Sequence, residues 1–121
     1  MSVLDASALL AFLQDEVGGE TVASSLEDGA HCSAANWSEV AQKIRSKGRN
    51  WDLSRALLLA YGLQIEPVTQ DDAELAAKLW RAGSGMSLAD RLCVALGRRL
   101  KMRVLTADEH WGTEKPIVQI R

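Results

Sequence analysis

The chain has 121 residues, 47% of them hydrophobic and 25% charged, a length and balance that suit one compact domain with its own core and exclude a disordered tail or a disulfide-stapled miniature. Its net charge of −2 weighs against nucleic acid as a partner unless some of the acidic residues are themselves engaged. Cys32, Cys93, His31 and His110 lack the dense spacing of a zinc cluster, so both cysteines read as small buried residues of a reduced protein.

The first apolar run carries Asp5 and has no basic stretch before it, which argues against a secretory signal, and no run reaches membrane-span length. A cytoplasmic chain with no membrane contact is expected. Ser2 to Asp5 reads as a short buried strand, and Ala6 to about Gln14 as a helix of Ala and Leu broken by Gly18-Gly19. Glu20 to Glu27 predicts a second helix, and Ala30 to Ala34 a second short strand. Asn36 to Lys47 has helical period, with Trp37, Val40 and Ile44 on one face and Asn36 as its cap. Asp52 is expected to cap a helix whose inward stripe is Leu53, Ala56, Leu57 and Ala60.

Leu63 to Val68 contains Pro67, so a strand there is short or at an edge. Asp71 to about Arg81 predicts a helix with Leu75, Ala76 and Leu79 inward, followed by a Gly83-Ser84-Gly85 loop. Ser87 opens the clearest helix, SLADRLCVALGRRLK, with Leu88, Leu92, Ala95, Leu96 and Leu100 on one face. Arg103 to Thr106 and Ile117 to Ile120 are the last two strands. Strands alternating with helices imply an α/β fold, a parallel sheet covered on both faces, whose ligands lie beyond the carboxyl ends of the strands.

Four acids sit at that edge. Asp5 ends the first strand and Asp108 follows the strand Arg103 to Thr106, while Glu39 and Asp90 fall in the first turns of helices. Each has a local explanation. Asp5 suits an N-cap, Asn36 to Glu39 and Ser87 to Asp90 have capping-box spacing, and Asp108 suits a first helical turn. Together they can converge on one cleft, where bare carboxylates repel and a hard cation such as Mg2+ or Mn2+ relieves the conflict. Metal ions about 3.5–4 Å apart can then clamp an in-line attack on a phosphodiester. No Ser-His-Asp or Cys-His set competes with that chemistry.

Four stretches, VLDASALLAFL, NWSEVAQKI, SLADRLCVALGRRL and VLTADEHW, in this order and spacing, resemble the PIN-domain family, and most closely its VapC-type toxins. The resemblance covers essentially the whole chain, residues 1–121. It implies a three-layer α/β/α sandwich with a short central parallel sheet, a divalent metal site and endoribonuclease activity. It assigns Asp5, Glu39, Asp90 and Asp108 to the metal-binding and catalytic acids, and Ser7 and Thr106 to hydroxyls that accompany them. It also implies a homodimer neutralised by a small VapB-like antitoxin, with RNA as substrate. Arg91 and His110 depart from the usual pattern and read as solvated residues.

Lys43, Arg45, Lys47 and Arg49 gather at one helix end, and Arg98, Arg99, Lys101 and Arg103 at another. Cations stabilise helix C-termini, and the same residues could form a phosphate-tracking rim, with Lys43, Arg45 and Arg91 as candidate RNA contacts. With the four site acids set aside, fourteen basic residues face twelve acidic ones, a balance compatible with RNA. Of the tryptophans, Trp37 and Trp80 suit packing, Trp51 falls in a loop, and Trp111 near Asp108 is the candidate substrate contact. Three other classes share features with this sequence. A receiver domain needs an Asp and a Lys at strand ends that this chain does not supply. A degenerate PIN-fold binding module is at odds with four intact acids. An RNA-processing nuclease of the same fold differs from a toxin mainly in its genetic setting.

Overall fold

The computed structural model describes residues 1–121. The elements run β1 (Ser2–Leu4), α1 (Ala6–Leu13), α2 (Gly19–Asp28), β2 (Ala30–Ser33), α3 (Ala34–Ser46), α4 (Trp51–Ala60), β3 (Gln64–Glu66), α5 (Gln70–Lys78), α6 (Leu88–Leu100), β4 (Arg103–Thr106) and β5 (Ile117–Gln119), with a 3₁₀ turn at Glu109–Trp111. All strand pairs are parallel, and the sheet order is β3-β2-β1-β4-β5. The first strand is therefore central, and the chain winds outward from it in both directions. That places the switch in winding direction beside β1, where ligands of such sheets bind.

Alternation along the strands divides the core. Leu4, Cys32 and Leu105 share one face and pack against α1 and α2 through Leu9, Val22 and Leu26, and against Val40, Ile44 and Leu58 of α3 and α4. Val3 and Val104 point the other way, against Cys93, Val94 and Leu96 of α6 and against Trp111. Gly97 makes the second packing possible: a Cβ there would run into the Val104 side chain, so only glycine lets α6 lie this close to β4. Both cysteines are free and buried, as expected. No helix is long and apolar enough to cross a membrane.

Six local expectations are corrected. Ser33, not Asn36, caps α3; its hydroxyl accepts from Ala35 N–H, so the helix starts at Ala34, directly at the strand end. Asn50, not Asp52, caps α4. As a result Trp51 is a buried first residue of α4 in edge-to-face contact with Trp37 (4.9 Å between centroids), and not part of a loop. The inward face of α4 is Trp51 and Leu58, while Leu53 and Leu57 are exposed, opposite to the stripe read from the sequence. The α5 helix ends before Trp80, which is exposed, and Leu88 at the start of α6 is exposed too.

Candidate active site

The residue that follows β1 is the anchor of the site. Asp5 is 3% exposed, and its carboxylate accepts from Ala8 N–H (2.8 Å), from Ser7 Oγ (2.8 and 2.9 Å to the two oxygens) and from Thr106 Oγ1 (2.6 Å). The first bond caps α1, so the cap reading of Asp5 is correct as far as it goes. Thr106 and Ser7 tie the neighbouring strand to the same carboxylate: Thr106 Oγ1 also accepts from Asp108 N–H (3.0 Å), and Ser7 Oγ from Ala107 N–H (2.9 Å). The two hydroxyl residues singled out in the sequence thus hold Asp5 in one orientation and join β1 to the loop after β4.

An ordinary cap has no reason to be this dry. Burial raises the Asp5 pKa from 3.8 to about 6, against the hydrogen bonds from Thr106, Ala8 and Ser7 that favour the charged form, and the Asp90 charge pushes the same way as burial. No cation pairs with Asp5; the chain's ion pairs lie elsewhere. The buried thiols beneath register the same field. The Cys93 pKa is pushed far up, first by burial and then by the negative charges of Asp5, Asp90 and Glu39, among others. Cys32 is pushed up by burial and then by Asp5 and Glu39. The charges of Asp5, Asp90 and Glu39 thus reach the same buried thiol, Cys93, and Asp108 is not among the causes.

Their immediate partners differ. Glu39, on the second turn of α3, accepts from Asn36 Nδ2 at 2.8 Å, so its expected backbone cap does not form. Asn36 is wholly buried beside Val40 and Ile44, and its Oδ1 has no partner. By local sequence Asn36 suits a cap; its place in the apolar i, i+4, i+8 stripe of Asn36, Val40 and Ile44 is the signal that it is buried. Asp90 closes a true capping box, accepting from Ser87 N–H (3.0 Å) while Ser87 Oγ accepts from Asp90 N–H (3.1 Å). Asp108 stands apart: its carboxylate turns to His110, accepting from the backbone N–H (2.9 Å) and lying 3.1 Å from Nδ1.

Whether these residues fit a divalent cation turns on donor chemistry and charge. All are hard oxygen donors, and the Asp5–Asp90 repulsion is a charge imbalance that a cation offsets. No group of three or more His, Cys, Asp or Glu side chains lies close enough to share one ion. That corrects the expectation of four carboxylates crowded round a metal. It still fits Mg2+, which keeps several waters and uses one or two carboxylates.

The remaining candidates fall as follows. Lys43 and Arg45 are exposed near the end of α3. Arg91 is not a solvated residue: it is half-buried, Nη1 donates to Ala76 C=O at 2.8 Å, and its buried Nε has no acceptor. Trp111 is 5% exposed and packs on α6, so it has no free face for base stacking, and its Nε1 is buried without a partner. His110 is at the surface, as expected.

A wound parallel sheet with β1 central and a desolvated carboxylate at its carboxyl end places the chain in a known class: the PIN domain family matches residues 2–112, and the chain belongs to that family. Within it, the relatives in sequence are VapC proteins. The chain is 32% identical over 108 residues to VapC ribonuclease Mb2780c of Mycobacterium bovis and to Ribonuclease VapC42 of Mycobacterium tuberculosis, covering 79% of this chain and 82% of each relative. Solved structures share the fold. A toxin-antitoxin complex from Klebsiella pneumoniae matches 100% of this chain and 98% of its own (TM-score 0.79, 18% identity). The sarcin-ricin loop cleaving toxin VapC20 of M. tuberculosis matches over 88% of each chain (TM-score 0.68, 18% identity). A chain of FitAB bound to a DNA fragment matches 99% of this chain and 95% of its own (TM-score 0.67, 18% identity).

Proposed function

We propose that this protein is a VapC-type endoribonuclease toxin that hydrolyses RNA phosphodiester bonds with Mg2+ or Mn2+ held at Asp5 and Asp90. Glu39 and Asp108 act at the margin of the site. The observation that carries the reading is Asp5: a carboxylate at the carboxyl end of the central strand, 3% exposed, without a cation, and set against a second carboxylate. Proteins do not keep such a group for stability, because a desolvated unpaired charge is unfavourable. They keep it where a ligand completes it.

A bound divalent cation supplies positive charge to the scissile phosphate and makes water a better nucleophile there. The chain's own residues do the positioning. Ser7, Ala8 N–H and Thr106 fix the Asp5 carboxylate from three sides. Asn36 restrains Glu39 at the rim, where that carboxylate can accept a proton from an approaching water. Thr106 also links Asp5 to the loop that carries Asp108, so that loop and the anchor move together.

A partner protein follows from the surface. The α4 helix turns Leu53 and Leu57 outward, 70% and 45% exposed, and such an apolar face is what a small antitoxin or a second copy of the chain would cover. The similarity to a toxin-antitoxin complex supports the antitoxin as a partner, and a cytoplasmic setting belongs to the same reading.

Purified protein is expected to cleave RNA with Mg2+ or Mn2+ and to stop when chelator is added. Asp5→Asn should lower the rate on the order of a thousandfold. Undiminished cleavage in chelator, or full activity of Asp5→Asn with unchanged folding, contradicts the mechanism. Expression in a bacterial host should arrest growth, and Asp90→Asn should relieve the arrest; equal growth of the two strains removes the toxin assignment.

A further inference from the structure

We propose that the groove between α6 and residues 111–118 is the track on which the RNA backbone lies as it enters the carboxylate site; this rests on the nuclease reading above. Two depressions make up the groove. A cavity of about 310 Å3 is walled by Arg81, Arg91, Arg98 and Lys115, with Glu114 the lone carboxylate. A second, of about 560 Å3, adds Lys101 and Arg103 and contains no acid. Arg98, Lys115, Pro116 and Ile117 line both, so the two are continuous.

Two observations point to a polyanionic chain. First, six of the fourteen Lys and Arg residues line the two depressions with Glu114 the one acid among them, in a chain whose net charge is −2, so positive potential is concentrated along this groove. Second, the groove is lined by sequence neighbours of two acids of the proposed site: Arg91 follows Asp90, and Trp111 is three residues beyond Asp108. From there it runs along α6, where Arg91 and Arg98 stand two turns or about 10 Å apart, to Lys101 past the helix end.

The floor of the groove decides between a chain and a single small anion. Leu79, Val94, Met102, Pro116 and Ile117 form an apolar base between the charged walls. A phosphodiester chain presents phosphates to the walls and base faces to the floor; an isolated phosphate would leave that floor unused. Arg55, an exposed cation of α4, lines neither depression and serves as the comparison.

The test is binding of a fluorescent single-stranded RNA, measured by anisotropy in chelator so that no cleavage intervenes, between about 50 and 200 mM salt. Arg98→Gln, Lys101→Gln and Lys115→Gln combined should weaken binding at least about tenfold. The plot of log affinity against log salt should flatten by about 2, three lost phosphate contacts at about 0.7 each. Arg55→Gln should leave both quantities as in the wild type. All substituted residues are exposed, and thermal melts confirm the fold. Unchanged affinity and slope in the triple variant, an equal loss in Arg55→Gln, or failure of the wild-type chain to bind RNA overturns the track. The two readings separate: a chain that cleaves RNA but binds it equally well without the three cations keeps the nuclease and loses the track. A chain that shows the expected slope change yet never cleaves with Mn2+ keeps the track and loses the nuclease.

Discussion

Two helices of this molecule begin with the same device and end up with different tasks. At α5, Thr69 and Asp72 form a capping box, with Asp72 N–H to Thr69 Oγ1 at 3.1 Å and Thr69 N–H to Asp72 Oδ2 at 3.3 Å. At α6, Ser87 and Asp90 repeat it at 3.1 and 3.0 Å. Beyond the box they part. Asp72 takes Arg99 Nε at 2.9 Å and Nη2 at 3.1 Å. Burial alone would raise its pKa, but the Arg99 guanidinium and the Thr69 N–H outweigh that and hold the carboxyl below its usual range. Asp90 has no cation and sets its charge against Asp5. Capping geometry therefore says nothing about whether an acid is structural; the countercharge does.

That contrast gives a paired experiment. Asp90→Asn keeps an oxygen for the Ser87 N–H and removes only charge, so RNA cleavage should fall at least about a hundredfold while stability changes by less than about 1 kcal/mol. Asp72→Asn should do the reverse: cleavage close to wild type, and a loss of about 1–2 kcal/mol, kept modest because Arg99 is a third exposed. Cleavage assays beside denaturant melts check both, and similar effects of the two substitutions would erase the distinction.

A smaller effect concerns Asn36. Replacing it by Leu removes a buried oxygen that has no partner and frees Glu39 from its amide. Stability should hold or rise, and cleavage should slow about tenfold. An unaltered rate would show that Glu39 needs no restraint.

The last effect is one of pH on stability, measured in chelator. In the folded chain Asp5 keeps its proton up to about pH 6, whereas the unfolded chain releases it near 3.8. The folded state binds the extra proton between those values, so the stability it confers is complete below about pH 4 and is lost as pH rises through 6. Asp5→Asn cannot ionise. It should match the wild type near pH 4 and exceed it by about 2–3 kcal/mol above pH 7, since each pKa unit is worth about 1.4 kcal/mol. Parallel stability curves would mean that Asp5 is not desolvated in solution.

Much of this was legible in the residues. Strand and helix alternation located every strand and helix, and the strand ends placed Asp5 and Asp108 at the active edge. The helical turn that Asp108 suits in sequence is a single 3₁₀ turn, Glu109–Trp111, with Asp108 as its N-cap. What stayed hidden were matters of tertiary partnership. The α4 stripe pointed outward because Trp51 reached Trp37 and fixed the helix the other way round, and local period cannot weigh one apolar face against another. Asn36 was hidden because an Asn three residues before a Glu suits a cap as well as it suits a buried amide. By sequence four acids can converge on one cleft; in the fold the charges of Asp5, Asp90 and Glu39 reach the same buried thiol, whereas Asp108 turns to His110. Of the basic groove along α6 only the helix end with Arg98, Lys101 and Arg103 is legible in sequence, because Lys115 and Arg81 come from segments distant in the chain.

Titration of Mn2+ into the metal-free wild type, Asp90→Asn and Asp72→Asn by calorimetry bears most directly on the account. Wild type and Asp72→Asn should bind Mn2+ alike, and Asp90→Asn at least about tenfold more weakly. Equal binding by all three, or none by the wild type, would show that the uncompensated pair beyond the central strand does not hold a cation.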